Sequence, residues 1–259
     1  MHGLVDKHIY GDASRLFLNT ELGCNSSCSY CYLPVEGLKT GASQGYIGQM
    51  TARELLQRLH DDKRFVLGTR GTLLSIGCYS ECWDARNQDE TIALVQGLLE
   101  LGNPIQLATK RSMTKSDLVR LTASKNWSGQ LSVYISSATV TQWRIFERGT
   151  AAPDRRFASF AACREAQIRA FLYIKPVIPR VTILDVEHYG MVMSHYNVGA
   201  VVGQRFERSD MGIRAPISSQ LSVVNDSEVH RVRAQLSAYG QVFDSSVAAL
   251  QLEMLPPSQ

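Results

Sequence analysis

A chain of 259 residues with 44% hydrophobic and 20% charged side chains is long enough for one large domain or two small ones, and its core needs no covalent staples. That apolar fraction excludes a disordered chain, and 19 Gly and 8 Pro spread thinly exclude collagen-like and low-complexity classes. The net charge of +3, from 27 basic and 24 acidic residues, neither demands nor excludes a nucleic-acid partner. No uninterrupted apolar run reaches the roughly 18 residues of a membrane helix. Residues Met1 to Arg15 carry His, Asp and Lys in place of an apolar signal core, so a cytoplasmic protein is expected.

Along the chain, short apolar runs alternate with segments of helical period. Arg15 to Leu22 alternates like a strand and leads into a cysteine-rich loop. Thr51 to Glu54 forms a capping box for a helix that carries Leu55, Leu56 and Leu59. Thr72 to Gly77 reads as a buried strand, followed by a helix over Gln88 to Leu101 with Gly102 just past its end. Pro104 to Thr109 is the next strand and Thr114 to Ala123 the next helix. Leu131 to Ser137, Phe171 to Ile178 and Val198 to Arg205 read as further strands, with helical patterns over 154–169 and 183–196 between them. A last helix over 225–238 opens on a second capping box, Asn225 to Glu228.

Six strand-then-helix units predict an α/β fold with a parallel sheet and right-handed crossovers. Periodicity alone leaves a partial barrel and a doubly wound open sheet equally open. In both, ligands gather outside the carboxyl ends of the strands, here the loops after residues 22, 77, 110, 137, 178 and 205. The expected division is a core over 1–206 and an extension over 207–259 that packs on the core or caps it.

Six cysteines stand at 24, 28, 31, 78, 82 and 163. Three of them within eight residues are too tightly spaced for a disulfide framework and read as metal ligands. The spacing CxxxCxxC on one loop suits three corners of a cubane [4Fe-4S] cluster, whose fourth iron is left for a ligand such as an amine and carboxylate pair. The rival is a zinc site or a closed cluster. Zinc sites usually join two separated pairs of ligands, and the nearest His after the triplet is His60.

Cys24, Cys28 and Cys31, with Tyr30 just before the third cysteine, resemble the signature of the radical S-adenosylmethionine superfamily. Within it, the middle of the chain is similar to the spore photoproduct lyase group. The resemblance is carried by Cys78-Tyr-Ser-Glu81, Thr109-Lys110, Glu147 to Thr150 with Pro153 to Arg156, and Lys175-Pro-Val-Ile-Pro179. It implies a partial (β/α)6 barrel of the TIM type with a short helical C-terminal extension. It also implies a [4Fe-4S] cluster held by Cys24, Cys28 and Cys31 that binds S-adenosyl-L-methionine. One electron from the reduced cluster cleaves that sulfonium to methionine and a 5′-deoxyadenosyl radical, which takes hydrogen from a substrate.

For the cofactor, the resemblance points to Tyr30 beside the cluster and adenine, backbone groups of Gly77 and Cys78 for the amine, and Ser80 or Glu81 for the amine or ribose. Lys110 and Ser136, with Ser137 as its neighbour, meet the carboxylate or ribose, and Arg156, rather than Arg155, supplies a two-pronged carboxylate contact. Cys78 is the candidate hydrogen-atom donor to a product radical, the alternative being a small buried hydrophobe. Cys82 and Cys163 read as structural. With Cys78 they make three, short of a second all-cysteine cluster.

An external electron donor such as flavodoxin or ferredoxin is implied. The substrate is unassigned among small molecule, nucleotide, nucleic acid and protein. Arg144, Arg148, Arg155, Arg156, Arg164 and Arg169, interleaved with Trp143, Phe146 and Phe157, keep a nucleic-acid lesion substrate in view, although Phe157 and Phe160 have core spacing. The remaining classes are a non-catalytic iron–sulfur carrier or redox sensor and a zinc-bound scaffold. A carrier has no use for polar residues at every strand end.

Overall fold

A computed structural model describes residues 7–42, 47–122, 126–208, 221–224 and 226–254. Eight strands make one sheet: β1 (Ile9–Gly11), β2 (Arg15–Leu18), β3 (Leu73–Ile76), β4 (Ile105–Thr109), β5 (Leu131–Ser136), β6 (Arg169–Ile174), β7 (Ala200–Val202) and β8 (Val242–Phe243). They lie side by side in chain order. Every neighbouring pair is parallel except β1 with β2. A doubly wound sheet reverses its strand order at a switch point, whereas an unbroken order winds in one direction, as a barrel does. The sequence therefore folds as the partial barrel.

The helices longer than four residues are α1 (Ala52–Asp61), α2 (Gln88–Glu100), α3 (Lys115–Leu121), α4 (Pro153–Glu165), α5 (Val186–Tyr196), α6 (Ser227–Leu236) and α7 (Ser246–Met254). Both threonines that open α1 and α3 form complete capping boxes, with Glu54 and Asp117. The outer face of the sheet repeats Leu16, Leu74, Ile105 and Leu131 in one register row. Those leucines and isoleucines are almost wholly buried against Leu55, Leu98, Leu118 and Phe160 of the helices. Each such side chain contributes about 1.5–3 kcal/mol relative to exposure.

Several boundaries differ from the sequence reading. The run from Arg15 breaks at Asn19, whose side chain binds the Lys7 carbonyl and the Tyr79 N–H, and Glu21–Leu22 then pairs with Ile47–Gln49 in a separate ribbon. β6 begins two residues earlier than the expected strand and stops at Ile174, because Pro176 has no N–H to offer a ladder. The strand expected to reach Arg205 ends at Val202, and Arg205–Arg208 joins Leu221–Val224 instead. Asn225 lies outside the described residues; the residue that caps α6 is Asp226, through the Glu228 and Val229 N–H groups. Two strands of the main sheet were not anticipated: β1 at one edge, and β8, which pairs with β7 beyond the six units.

The two faces of the strands differ in chemistry. Facing inward, Phe17, Ser75, Gln106 and Ser132 stand in one register row. Beyond them the interior is filled by Tyr134, Phe171, Val201, Phe243 and Ala249. Tyr134 stacks on Phe171 at 5.3 Å, and Phe171 meets Phe243 edge to face at 5.8 Å. The backbone carbonyl of Ser246, at the start of α7, accepts hydrogen bonds from Gln106 Nε2 (2.8 Å) and the Tyr134 hydroxyl (3.1 Å). The start of α7 is thus tied to the inner face of β4 and β5.

Candidate active site

The loop that follows β2 is stitched down by backbone hydrogen bonds before any side chain is considered. Gly23 N–H binds the Tyr79 carbonyl, Cys24 N–H the Lys39 carbonyl, and the Gly41 N–H the carbonyls of Cys24 and Ser26. Ser27–Cys28 pairs with Glu147–Arg148 as a short ribbon, and Ser29 N–H reaches the Phe146 carbonyl. These contacts hold Cys24, Cys28 and Cys31 along the wall of one cavity of about 420 Å³ at the carboxyl ends of the strands. That size lies within the range of small-molecule sites.

Burial pushes the Cys24 thiol up to about 11, with help from the Glu81 charge, and Cys28 up to about 12; Cys31 is raised as well. Opposing donors favour the thiolates. Ser26 N–H points at Cys24 Sγ at 3.3 Å, the Leu33 backbone does the same for Cys31, and Lys110 acts on Cys28 and Cys31. Such donors around sulfur ligands are what an iron–sulfur cluster requires. Among the described residues, no three His, Cys, Asp or Glu side chains converge on a single ion position. Three thiols set along one wall of the cavity suit a cluster that takes one thiolate on each of three irons.

The second and third strand ends complete the wall. Gly77 has φ +91, and a Cβ there would lie 2.7 Å from the Ala108 carbonyl oxygen, so only glycine lets the backbone face the cavity at this point. Ser80 lines the cavity with a buried hydroxyl that has no hydrogen-bond partner among the described residues. An orphaned group of this kind is a ready contact for a bound ligand. Glu81 also reaches the cavity, but both of its oxygens are engaged. Oε1 accepts from Thr109 Oγ1 (2.5 Å) and Trp83 N–H (3.1 Å), and Oε2 from Lys110 N–H (2.9 Å). Lys110 donates to Ser136 Oγ at 2.7 Å and stands 5.7 Å from the centre of the Tyr30 ring.

Not every expected residue arrives there. Arg156 is wholly buried behind the wall. Its Nη1 donates to the Ser136 carbonyl (2.6 Å) and its Nη2 to Glu147 Oε2 (2.8 Å), while Arg155 is exposed. Glu147 accepts in turn from the Tyr30 hydroxyl and from Ala138 N–H (3.1 Å). Arg156 acts on the site indirectly, through Glu147 and Tyr30 and through the Ser136 backbone. Ser137 is also off the cavity, its hydroxyl on the Thr139 carbonyl. The arginine interval around Trp143 does not form one face, since Arg156 and Phe157 point inward. Cys82 and Cys163 are buried, Cys82 Sγ lying 3.4 Å from the Ala108 carbonyl.

Cys78 faces the cavity, and its thiol lies 2.7 Å from the Tyr10 hydroxyl and 3.2 Å from that of Tyr32. Burial holds this thiol above its usual pKa, in its protonated form at neutral pH. Tyr32 also donates to the Cys78 carbonyl. Sequence reasoning gives no site role to Tyr10, Tyr32, Arg15, Gln106 or Lys175, all of which line the cavity. For Gln106 a signal existed: an amide side chain inside an otherwise apolar strand must find a polar interior.

No family model and no curated protein matches the chain. Among solved structures it is similar to spore photoproduct lyase complexed with dinucleoside spore photoproduct, at a TM-score of 0.58 and 13% identity over 86% of this chain and 74% of that one. A variant of that enzyme with bound AdoMet and the same dinucleoside gives a TM-score of 0.61 and 13% identity over 94% of this chain and 80% of that one. Streptococcus suis SuiB bound to S-adenosylmethionine gives a TM-score of 0.59 and 14% identity over 88% of this chain, which spans 49% of SuiB. The chain thus shares its fold with spore photoproduct lyase and SuiB. Among the described residues no helix is long and apolar enough to cross a membrane.

Proposed function

We propose that the chain is a radical S-adenosylmethionine enzyme, with Cys24, Cys28 and Cys31 holding a [4Fe-4S] cluster. The observation that carries this reading is the meeting of three thiols, an orphaned Ser80 hydroxyl and the Lys110–Ser136 pair in one cavity of that fold. When bound, the cluster supplies one electron to the sulfonium of S-adenosylmethionine, which parts into methionine and a 5′-deoxyadenosyl radical that removes hydrogen from the substrate. Lys110 offers its ammonium to the methionine carboxylate, and Ser80 and Ser136 offer hydroxyls to the amine or ribose. Tyr30 shields the thiol side of the cavity, its ring fixed by Glu147 and Arg156. Glu81 is a positioning residue that ties Lys110 to the loop after β3. Cys78 carries the S–H bond suited to return a hydrogen atom to a product radical, and Tyr10 and Tyr32 hold its sulfur in place.

The test is anaerobic reconstitution with iron and sulfide, followed by S-adenosylmethionine and dithionite and an assay for 5′-deoxyadenosine. Visible absorbance from thiolate-to-iron charge transfer and release of 5′-deoxyadenosine are expected, and Cys28→Ala should abolish both. Methylthioadenosine as the product, or zinc held by four endogenous ligands, would overturn the reading. Cys78→Ala should keep the cleavage but alter the fate of the product radical; an unaltered product profile would remove Cys78 from the mechanism.

A further inference from the structure

The ribbon that carries Cys28 has two faces. Side chains alternate along a strand, and directly opposed residues share a face. Cys28 and Glu147 oppose each other on the inner face, Cys28 on the cavity wall and Glu147 buried against Tyr30 and Arg156. Ser27 and Arg148 oppose each other on the outer face, and both are exposed. Arg148 is thus one residue along and one strand spacing, about 5 Å, across from Cys28.

The outer face is cationic around an apolar centre. The single helical turn Trp143–Phe146 runs into the ribbon and leaves Ile145 57% exposed beside Arg148, whose Nε donates to the Ile145 carbonyl (3.4 Å). Arg144 is exposed as well, its guanidinium 5.1 Å from the centre of the Trp143 ring. On the other flank of the cysteine loop stands the exposed Lys39, whose carbonyl receives the Cys24 N–H. Neither Arg144 nor Arg148 meets a carboxylate among the described residues. The acids nearby are engaged elsewhere: Glu147 with Arg156, Asp84 with Arg111 and Glu36 with Lys7. Positive charge left over on a surface attracts an acidic partner, and arginine and tryptophan around an exposed aliphatic side chain is the composition of an interface centre.

We propose that Arg144, Ile145 and Arg148, with Lys39 across the loop, form the docking surface for an acidic one-electron carrier protein of the flavodoxin or ferredoxin kind. The carrier loses one electron and the cluster behind Cys28 gains it; no atom changes hands. Encounters of this kind are small and brief, and opposite charge sets their rate. Nucleic acid is the rival polyanion, but as a substrate it has to present its reacting carbon to the cavity on the inner face of the ribbon, not to the outer one. The electron's destination rests on the radical reading; the charge-steered contact does not.

The experiment titrates a flavodoxin and a ferredoxin, both oxidised, separately into the full chain without cluster, at low and at high salt, with calorimetry as the readout. Saturable binding of at least one is expected at low salt, weakening as salt rises. Arg144→Glu combined with Arg148→Glu should weaken it by about tenfold or more, whereas Arg231→Glu, exposed on α6, should change it by less than about twofold. Should the reversed pair fail to fold, Arg144→Gln combined with Arg148→Gln carries the same expectation. With reconstituted cluster, the reversed pair should form 5′-deoxyadenosine as fast as the wild type from dithionite, and about tenfold more slowly from the reduced carrier.

Binding of neither carrier, binding indifferent to salt, or an equal loss in Arg231→Glu overturns the docking surface. So does single-stranded DNA that binds with comparable affinity and is lost through the same substitutions. A wild type that forms no 5′-deoxyadenosine from dithionite sinks the radical reading while the carrier titration still stands, so the two fail separately.

Discussion

Glu147 joins three parts of the site. Its backbone pairs with Cys28, one carboxylate oxygen receives Tyr30, and the other receives Arg156; both members of the ion pair are wholly buried. Glu147→Gln keeps the shape but leaves the guanidinium without its counter-charge, and a broken buried pair of this kind costs about 3–5 kcal/mol. Urea unfolding should show that loss; a change below about 1 kcal/mol would mean that the pair is relieved by water. Glu81→Gln places an amide N–H against the Lys110 or Thr109 donor, at about 1–3 kcal/mol by the same measurement.

At this scale the sequence was legible where chemistry fixes spacing. Cys24, Cys28 and Cys31 needed only to be counted, and Lys110 and Ser136 stand at strand ends, where the fold class puts ligands. Arg156 is the inward one of the two arginines, but nothing in the sequence shows that its guanidinium is taken by Glu147 and the Ser136 carbonyl behind the wall. Arg15 was missed because a charge at the first position of a strand reads as the edge of a turn.

Among the elements, the glycine after β3 and the capped helices make the sharpest expectations. Gly77→Ala requires a left-handed backbone from alanine and drives Cβ toward the Ala108 carbonyl, so a loss of about 1–3 kcal/mol is expected, together with weaker S-adenosylmethionine binding in calorimetry. Thr51→Ala removes half of a capping box far from the cavity and should cost about 1 kcal/mol without affecting binding. All six interior parallel strands were readable from their apolar runs. Their ends were not, because side chains elsewhere set them: Asn19 turns the chain out of β2, and Pro176 ends the ladder of β6. β1 and β8 are two or three residues long, too short to carry a period.

For the molecule as a whole, buried acids set its behaviour in alkali. Burial holds the Cys163 thiol up to about 12, from a usual 9.0, and Tyr173 up to about 12, from 10.0. The native state keeps these protons longer than the unfolded chain does, so their contribution is complete below about pH 9 and disappears as pH rises toward 12. Urea midpoints should fall steadily over that window, and Cys163→Ala should flatten the fall; a midpoint independent of pH would contradict the assignment.

The hydrogen bond from Gln106 to Ser246 joins positions 140 residues apart. During synthesis this contact forms last, since β8 and the start of α7 leave the ribosome after every other strand of the sheet. In that interval the inner wall stands open to water. A wholly apolar lining would then be a sticky surface, whereas Arg15, Ser75, Ser132 and Gln106 are comfortable when wet. The polar layer thereby protects the nascent chain, and a stalled chain ending at Gly240 is expected to stay dispersed where one with Ser75 and Gln106 replaced by leucine would aggregate.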